Sequence, residues 1–286
     1  MNITKALITA AGPKQRKLPL QTLIDMDGIE KSVLEILIEE IKDAGINEIG
    51  IIIHPNDKET YSTVIGQHIH QVEFIEQHDP RGYGHAILLA SDFIQQNRFL
   101  HLVGDHLYVK QHGKSCAQQL IETAQAQECS VSAVQSTRES QIPYFGVVGG
   151  TRIQGSKDVY KINSVIEKPT PTEAEQKLLV PGLRAGHYLC FFGMHVLSPT
   201  IFQILEKNLN ESNGPINLSS ALDELAKKEQ YLAIEKNDLR FDVGSKYGLM
   251  KAQIALALNG KDRDMVLSDL LEFFSMRELH KTGGLR

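Results

Sequence analysis

Short apolar runs separated by amphipathic stretches fill the first half of the chain. Residues 6–9 form one run and end in Ala10-Ala11-Gly12, which predicts a buried strand feeding a loop. Residues 33–44 then carry Val33, Leu34, Leu37, Ile38 and Ile41 at helical spacing, with Gly45 as the stop. Residues 48–54 hold four isoleucines in a nearly continuous run, the pattern of a strand covered on both faces of a parallel sheet. Strand, loop, helix and strand in that order make a βαβ unit. The pattern recurs, with strands predicted at 72–75, 99–103 and 130–135 and helices at 84–93 and 115–126. Strands then come with little helix between them, at 145–148, 159–166 and 186–196. Helical spacing returns at 199–209, 218–228 and 246–258, and residues 262–286 read as one more amphipathic helix with a frayed tail. The fold class expected is α/β, a doubly wound mixed, mostly parallel sheet with a more antiparallel C-terminal half.

Composition narrows the function classes. The chain has 286 residues, 42% hydrophobic and 23% charged, with a formal net charge of −5. That is ordinary for a globular protein and lacks the basic excess of a duplex-binding one, so nucleic acid is excluded as a partner. A nucleotide as ligand is not, because a pocket can be locally positive. Cys116, Cys129 and Cys190 are widely spaced and odd in number, which points to reduced thiols in a cytoplasmic protein rather than a disulfide or zinc framework. The first ten residues do not read as a signal peptide, and no apolar run is long enough to predict a membrane span. GxSxG, HxxxH and a first-loop GxGxxG are absent from the sequence, which removes support for hydrolase, zinc and dinucleotide-dehydrogenase chemistry.

Five segments carry candidate chemistry. Ala10 to Pro19 comes after the first strand, where open α/β sheets bind ligands, and places Lys14, Arg16 and Lys17 beside Gly12. It reads equally as a phosphate-binding loop or as a solvated basic loop. Gln77 to Ala86 sets Gly82 and Gly84 around Tyr83 at a helix mouth; Gln77 offers a donor and an acceptor to a pyrimidine edge, and a plain turn explains the segment as well. Asp105 ends an apolar strand, where a carboxylate suits a hard cation or caps a turn. Glu167-Lys168-Pro169 and Asp242, in Phe-Asp-Val-Gly, say little separately.

In order and spacing, these segments resemble the sugar-phosphate nucleotidyltransferases, most nearly the bacterial glucose-1-phosphate uridylyltransferase branch, over residues 6–257. The family's GxGTRxxP is met by Gly12 to Pro19, and its QxxxxGLGHA by Gln77 to Ala86. Its metal aspartate is met by Asp105, its Tyr-Gly-Val-Val by Phe145 to Val148, its Glu-Lys-Pro by residues 167–169, and its Asp-Cys-Gly by Asp242 to Gly244. The resemblance implies a Rossmann-like nucleotidyltransferase fold, with residues 1–260 as the catalytic domain and 261–286 as a C-terminal helix and tail. It implies UTP (or dTTP) and a sugar 1-phosphate, glucose 1-phosphate above others, as partners, Mg²⁺ as cofactor, and room for a homo-oligomer. By the same resemblance Ala11 and Gly12 hold the nucleotide, Gln77 and Gly82 contact uracil, and Arg16 binds the triphosphate. Gly146, Glu167, Lys168 and Gly193 hold the sugar phosphate, and Asp105 and Asp242 bind the metal. Arg16, Lys168 and Asp105 would carry catalysis.

The first loop departs from that pattern. Pro13-Lys14-Gln15 replaces the family's Leu-Gly-Thr, and a lysine found a few residues later in the family is Leu20 here. Lys14 or Lys17 offers a substitute ammonium from the same loop. Two other readings remain open: a nucleotidyltransferase for another sugar or base, and a nucleotide-sugar-binding regulatory protein without turnover.

Overall fold

The computed structural model describes residues 2–110, 113–212 and 214–282, with side chains of the last helix through residue 276. The chain starts with β1 (Lys5–Thr9) and a small ribbon of β2 (Thr22–Ile24) and β3 (Glu30–Ser32). Helix α1 (Val33–Asp43) begins where Ser32 Oγ accepts from Glu35 N and the Glu35 carboxylate accepts from Ser32 N. It buries the five apolar residues read from the sequence, and Gly45 turns away at φ 87°. β4 (Glu48–Ile53), α2 (Lys58–Ile65) and β5 (Val72–Glu76) complete this edge. The helix expected over 84–93 divides into α3 (Tyr83–Leu88) and α4 (Ser91–Ile94), because the chain tightens to an Ala90 N to Ile87 O bond between them.

β6 (Phe99–Val103), β7 (His106–Val109), α5 (Cys116–Gln127) and β8 (Ser130–Arg138) come next. The second half holds β9 (Gly146–Arg152), β10 (Val159–Glu167), α6 (Pro171–Lys177), β11 (His187–Leu197), α7 (Thr200–Glu211) and α8 (Leu218–Lys228). It closes with β12 (Tyr231–Glu235), β13 (Leu239–Asp242), α9 (Gly248–Asn259) and α10 (Arg263–Thr282). Of the frayed Lys-Thr-Gly-Gly tail expected from Lys281, the first two residues continue α10, and residues 283–286 lie outside the described residues.

Nine strands form one sheet in the order β5-β4-β1-β6-β11-β8-β12-β10-β9. The first four pair in parallel, as do β8 and β12; β11 and β10 run against their neighbours. The sheet is therefore mixed, mostly of one direction, and more antiparallel in its C-terminal half. Along β1, Ala6 and Ile8 face one way, toward the core built with α1, α5 and α9, while Leu7 joins the opposite core with α3, α4, α7 and α8. Alternation on a strand covered on both faces explains the unbroken apolar runs of the sequence. Among the described residues, no helix is long and apolar enough to cross a membrane.

β1 lies between β4, which the chain visits next, and β6, which it reaches after β5. Such a reversal of strand order opens a crevice beyond the carboxyl ends of the strands. The entry into α1 offers a check on how the fold is held. Ser32→Ala leaves the Glu35 amide uncapped, and unfolding free energy from urea titration should fall by about 0.5–2 kcal/mol.

Candidate active site

A cleft of about 780 Å³ opens at that crevice, a size suited to a small-molecule ligand. Its floor is the paired ends of β1 and β6, where Gly104 N donates to Thr9 O at 2.9 Å. A Cβ on Gly104 would stand 2.8 Å from that carbonyl, so a side chain there would part the strands. Beyond Ala11, the first loop coils, with the Gln15 and Arg16 amides both donating to Gly12 O at 2.8 Å. Ala11, Gly12, Pro13, Gln15 and Pro19 line the cleft, whereas Lys14, Arg16 and Lys17 do not. The Arg16 guanidinium faces Asp57 at 3.4 Å, and its backbone carbonyl accepts from Tyr61 OH at 2.8 Å.

On one wall, Gln77 is buried and its amide meets His85 Nδ1 at 3.1 Å. Burial, with Arg81 nearby, lowers the His85 pKa and favours the neutral ring that accepts this bond. Gly82 has φ 100°, and Gly84 N donates to Ile216 O at 2.9 Å. A Cβ on Gly82 would come within 2.6 Å of Ile216 O. These glycines let the start of α3 press against the segment that leads into α8, which closes the wall.

Opposite, β7 and β13 form an antiparallel ribbon with Asp242 in register with His106. Val243 N donates to Asp105 O at 2.9 Å, so Asp105 and Asp242 share one rim of the cleft. Asp105 is nearly buried: Oδ2 accepts from Gln15 Nε2 at 2.6 Å and Oδ1 lies 2.8 Å from His106 Nδ1. Among the described residues, no lysine or arginine lies within 4 Å of its carboxylate. Asp242 is exposed and accepts from Gly244 N at 2.8 Å. Two carboxylates without a fixed cationic partner suit a hard divalent cation, and among the described residues no cluster of three His, Cys, Asp or Glu side chains could hold an ion alone. That donor set fits an ion that completes its shell with phosphates and water, as Mg²⁺ does.

The third wall is built where β9 begins, where β10 ends and along the middle of β11. Glu167 accepts from Ser219 Oγ at 2.6 Å and lies 3.6 Å from Lys168 Nζ. Lys168 adopts φ 48°, held by its N–H to Phe145 O at 2.9 Å. A left-handed lysine is uncommon and needs such anchoring. A Cβ on Gly146 would meet Phe191 and Ser219 at 2.8 Å. Gly193 sits at φ 86° in a register break of β11, and its carbonyl accepts from Tyr108 OH at 2.7 Å.

Sequence reasoning missed Arg240 and a polar layer beneath the floor. Arg240 lines the cleft, donates to Phe191 O at 2.6 Å, and has Phe145 and Phe192 at 4.4 and 5.6 Å from its guanidinium carbon. Burial pulls its pKa below the usual value. The signal was its place two residues before Asp242, because alternate residues of a strand share a face. Beneath the floor, His101 Nε2 meets Thr9 Oγ1 and Tyr83 OH at 3.3 Å, and its ring stacks on His195 at 5.7 Å. His195 Nδ1 meets Ser132 Oγ, which contacts Tyr231 OH.

A family model for nucleotidyl transferases matches residues 17–258, which include all three walls. The chain belongs to that family. Among its relatives, the UTP–glucose-1-phosphate uridylyltransferase of Pseudomonas aeruginosa is 28% identical over 276 residues, covering 87% of this chain and 94% of the relative. The Streptococcus pneumoniae uridylyltransferase is 27% identical over 283 residues, with 90% and 91% covered. A UDP-glucose pyrophosphorylase solved with UDP-glucose superposes with a TM-score of 0.71 at 26% identity, over 89% of this chain and 98% of that one. A UDP-glucose pyrophosphorylase from Acinetobacter baumannii, at 21% identity and TM-score 0.74, has the same fold over 96% of this chain and 100% of its own. These findings fit the resemblance read from the sequence.

The floor of this nucleotidyl transferase predicts acid sensitivity. Burial lowers the His195 pKa from 6.5 to about 3, and burial with the neighbouring His195 lowers that of His101 well below 6.5. Between those limits the unfolded chain binds protons that the folded one refuses, so stability rises with pH across the window. Stability should therefore fall as pH drops from about 6.5 toward 3, by up to roughly 1.4 kcal/mol per pH unit for each histidine. His195→Gln should flatten that slope in urea titrations across the window; an unchanged slope would mean that other groups set it.

Proposed function

We propose that this chain transfers a uridylyl group from UTP to a sugar 1-phosphate, glucose 1-phosphate first among them, and releases pyrophosphate. The observation that carries the reading is the convergence of Asp105 and Asp242 on a cleft whose far wall holds the Glu167–Lys168 corner. The names of the relatives at 28% and 27% identity, and of the solved relative at 26%, support the same substrates. In this reading the backbone at Ala11 and Gly12 receives the nucleotide, and Gln77 and Gly82 meet uracil. Gly146, Glu167, Lys168 and Gly193 hold the sugar phosphate. Asp105 and Asp242 hold Mg²⁺, which when bound neutralises charge on the phosphates.

The reaction needs no covalent enzyme intermediate. An oxygen of the sugar 1-phosphate attacks the α-phosphorus of UTP, and the bond to the pyrophosphate oxygen breaks on the opposite side. The chain's task is then to align two anions and stabilise the charge that develops between them. Lys168 supplies one cation from a backbone locked by Phe145 O. Arg16 supplies another only if its guanidinium leaves Asp57. A second reading, a nucleotide-sugar-binding regulator without turnover, is favoured by the first loop itself, which sends a neutral Gln15 into the cleft and carries Leu20 for the family's lysine.

Pyrophosphate release across a panel of nucleotides and sugar 1-phosphates with Mg²⁺ separates the readings. Turnover with UTP and glucose 1-phosphate is expected, with a lower kcat/KM for GTP because a purine does not present the imide edge of uracil to Gln77. Binding of UDP-glucose without any turnover would establish the regulator. Asp105→Asn and Asp242→Asn should each abolish turnover while circular dichroism and the melting temperature stay near the parent's. Near-normal rates in both variants at limiting Mg²⁺ would refute the two-aspartate site.

A further inference from the structure

The cleft carries three carboxylates, Asp105, Glu167 and Asp242, against two permanent cations, Lys168 and Arg240. The two cations are not equivalent. Lys168 is largely exposed and lies 3.6 Å from the Glu167 carboxylate. Arg240 is part-buried, and among the described residues no carboxylate oxygen lies within 4 Å of its guanidinium. Among the described residues, the guanidinium makes one hydrogen bond, from Nη1 to Phe191 O at 2.6 Å. The ring of Phe145, 4.4 Å from the guanidinium carbon, and that of Phe192, at 5.6 Å, fix where the group sits. A guanidinium has five N–H donors in one plane, so most of its donor capacity is left for a ligand.

The neighbours of Arg240 say which ligand group that is. Phe145 precedes Gly146, and its carbonyl holds the Lys168 backbone. Phe191 lies two residues before Gly193 and against Gly146. Arg240 thus stands at the junction of the wall ascribed above to the sugar phosphate, one strand alternation from Asp242 and away from Gln77. We propose that Arg240 binds the phosphate of the sugar 1-phosphate, which becomes the sugar-side phosphate of the nucleotide sugar. A phosphate there gives a part-buried cation a directly bonded counter-charge, where Asp242 acts on it only from beyond 4 Å, through charge-assisted bonds that the fork of donors makes in pairs. This rests on the uridylyl-transfer reading and deepens it.

The test compares two ligands that differ in that phosphate and the glucose it carries. UMP lacks it, and UDP-glucose carries it. Calorimetric affinities are measured for the parent, Arg240→Gln and Arg240→Lys, with melting temperatures alongside. Arg240→Gln should weaken UDP-glucose by about tenfold or more and leave UMP within about twofold, and Arg240→Lys should recover part of the loss. In turnover, the same variants should raise KM for glucose 1-phosphate more than KM for UTP. An equal loss for both ligands would make Arg240 a structural clamp for Phe145 and Phe191 and overturn the proposal, as would no loss for either. If Arg240→Gln fails to fold, Arg240→Lys decides alone, because it keeps the charge and loses the fork: UDP-glucose weakened selectively supports the proposal, and an unchanged affinity overturns it. A parent that binds neither ligand overturns the uridylyl reading, whereas a parent that binds both with variants that match it overturns only the assignment of Arg240.

Discussion

A short antiparallel ribbon holds two mutually repelling carboxylates at one rim of the cleft, and the arrangement of the site depends on it. Asp105 leaves the end of β6 in the middle of the sheet, and Asp242 arrives from the far end of the chain on β13. The β7–β13 pairing and the Val243 N to Asp105 O bond fix their relation. Each such hydrogen bond contributes only about 0.5–1.5 kcal/mol, so four residue pairs do not hold by themselves against like charges. Helix α9, next along the chain, anchors the ribbon instead. A Cβ on Gly248 would lie 1.8 Å from Asp242 O, so only glycine lets α9 start so close to the aspartate. Ala252, Ala255 and Leu256 of α9 then bury in the core beside α1 and α5. The carboxylate pair is held by hydrophobic burial some distance from it.

Beneath the rim the constraint is of another kind. His101 and His195 are buried polar rings on the central strands β6 and β11, beside the buried Ser132 of β8. His195 is satisfied through Ser132, and His101 Nε2 through Thr9 and Tyr83, while His101 Nδ1 has no partner among the described residues. Both rings are neutral, which keeps positive charge out of the floor. Tyr83 joins this layer to the glycine pair at the mouth of α3, so the wall that carries Gln77 and the floor of the cleft are one packed unit.

The sequence made the large elements legible because they obey a single rule. α1 and α8 each present five buried side chains at a helical or near-helical spacing, and β4 is apolar because both faces are covered. The β7–β13 ribbon escaped notice because four-residue strands with one face to a cleft carry too little alternation to read. Helix α2 escaped for a similar reason, since only Tyr61 and Ile65 are buried on it. At the site, the order of motifs pointed to Asp105, Glu167, Lys168 and Asp242, all of which lie on the cleft. Arg240 was invisible because an arginine in a short polar segment looks like surface until its strand is paired. Gly82 and Gly84 mark a helix mouth in the sequence, and their immediate structural reason is the approach of Ile216.

Arg16 shows how little energy separates the two readings of the first loop. Its backbone is fixed by the bond from Tyr61 OH and by the coil on Gly12, so a reorientation would involve the side chain alone. What holds that side chain is a 3.4 Å contact with Asp57, whose Oδ2 makes no hydrogen bond among the described residues. A part-exposed pair of that geometry is worth about 0–1 kcal/mol. A charge-assisted bond to a phosphate oxygen contributes about 1.5–3 kcal/mol. A triphosphate within reach would therefore outcompete Asp57 for the guanidinium, and the resting orientation of Arg16 is not an argument against its use. The backbone geometry differs in kind. Gln15 already donates to Asp105 from a coil closed on Gly12, and no side-chain rotation brings Leu20 any charge. The loop's departure from the family pattern thus divides into a part that a ligand can reverse and a part that the remaining cleft cations, Lys168 and Arg240, have to offset.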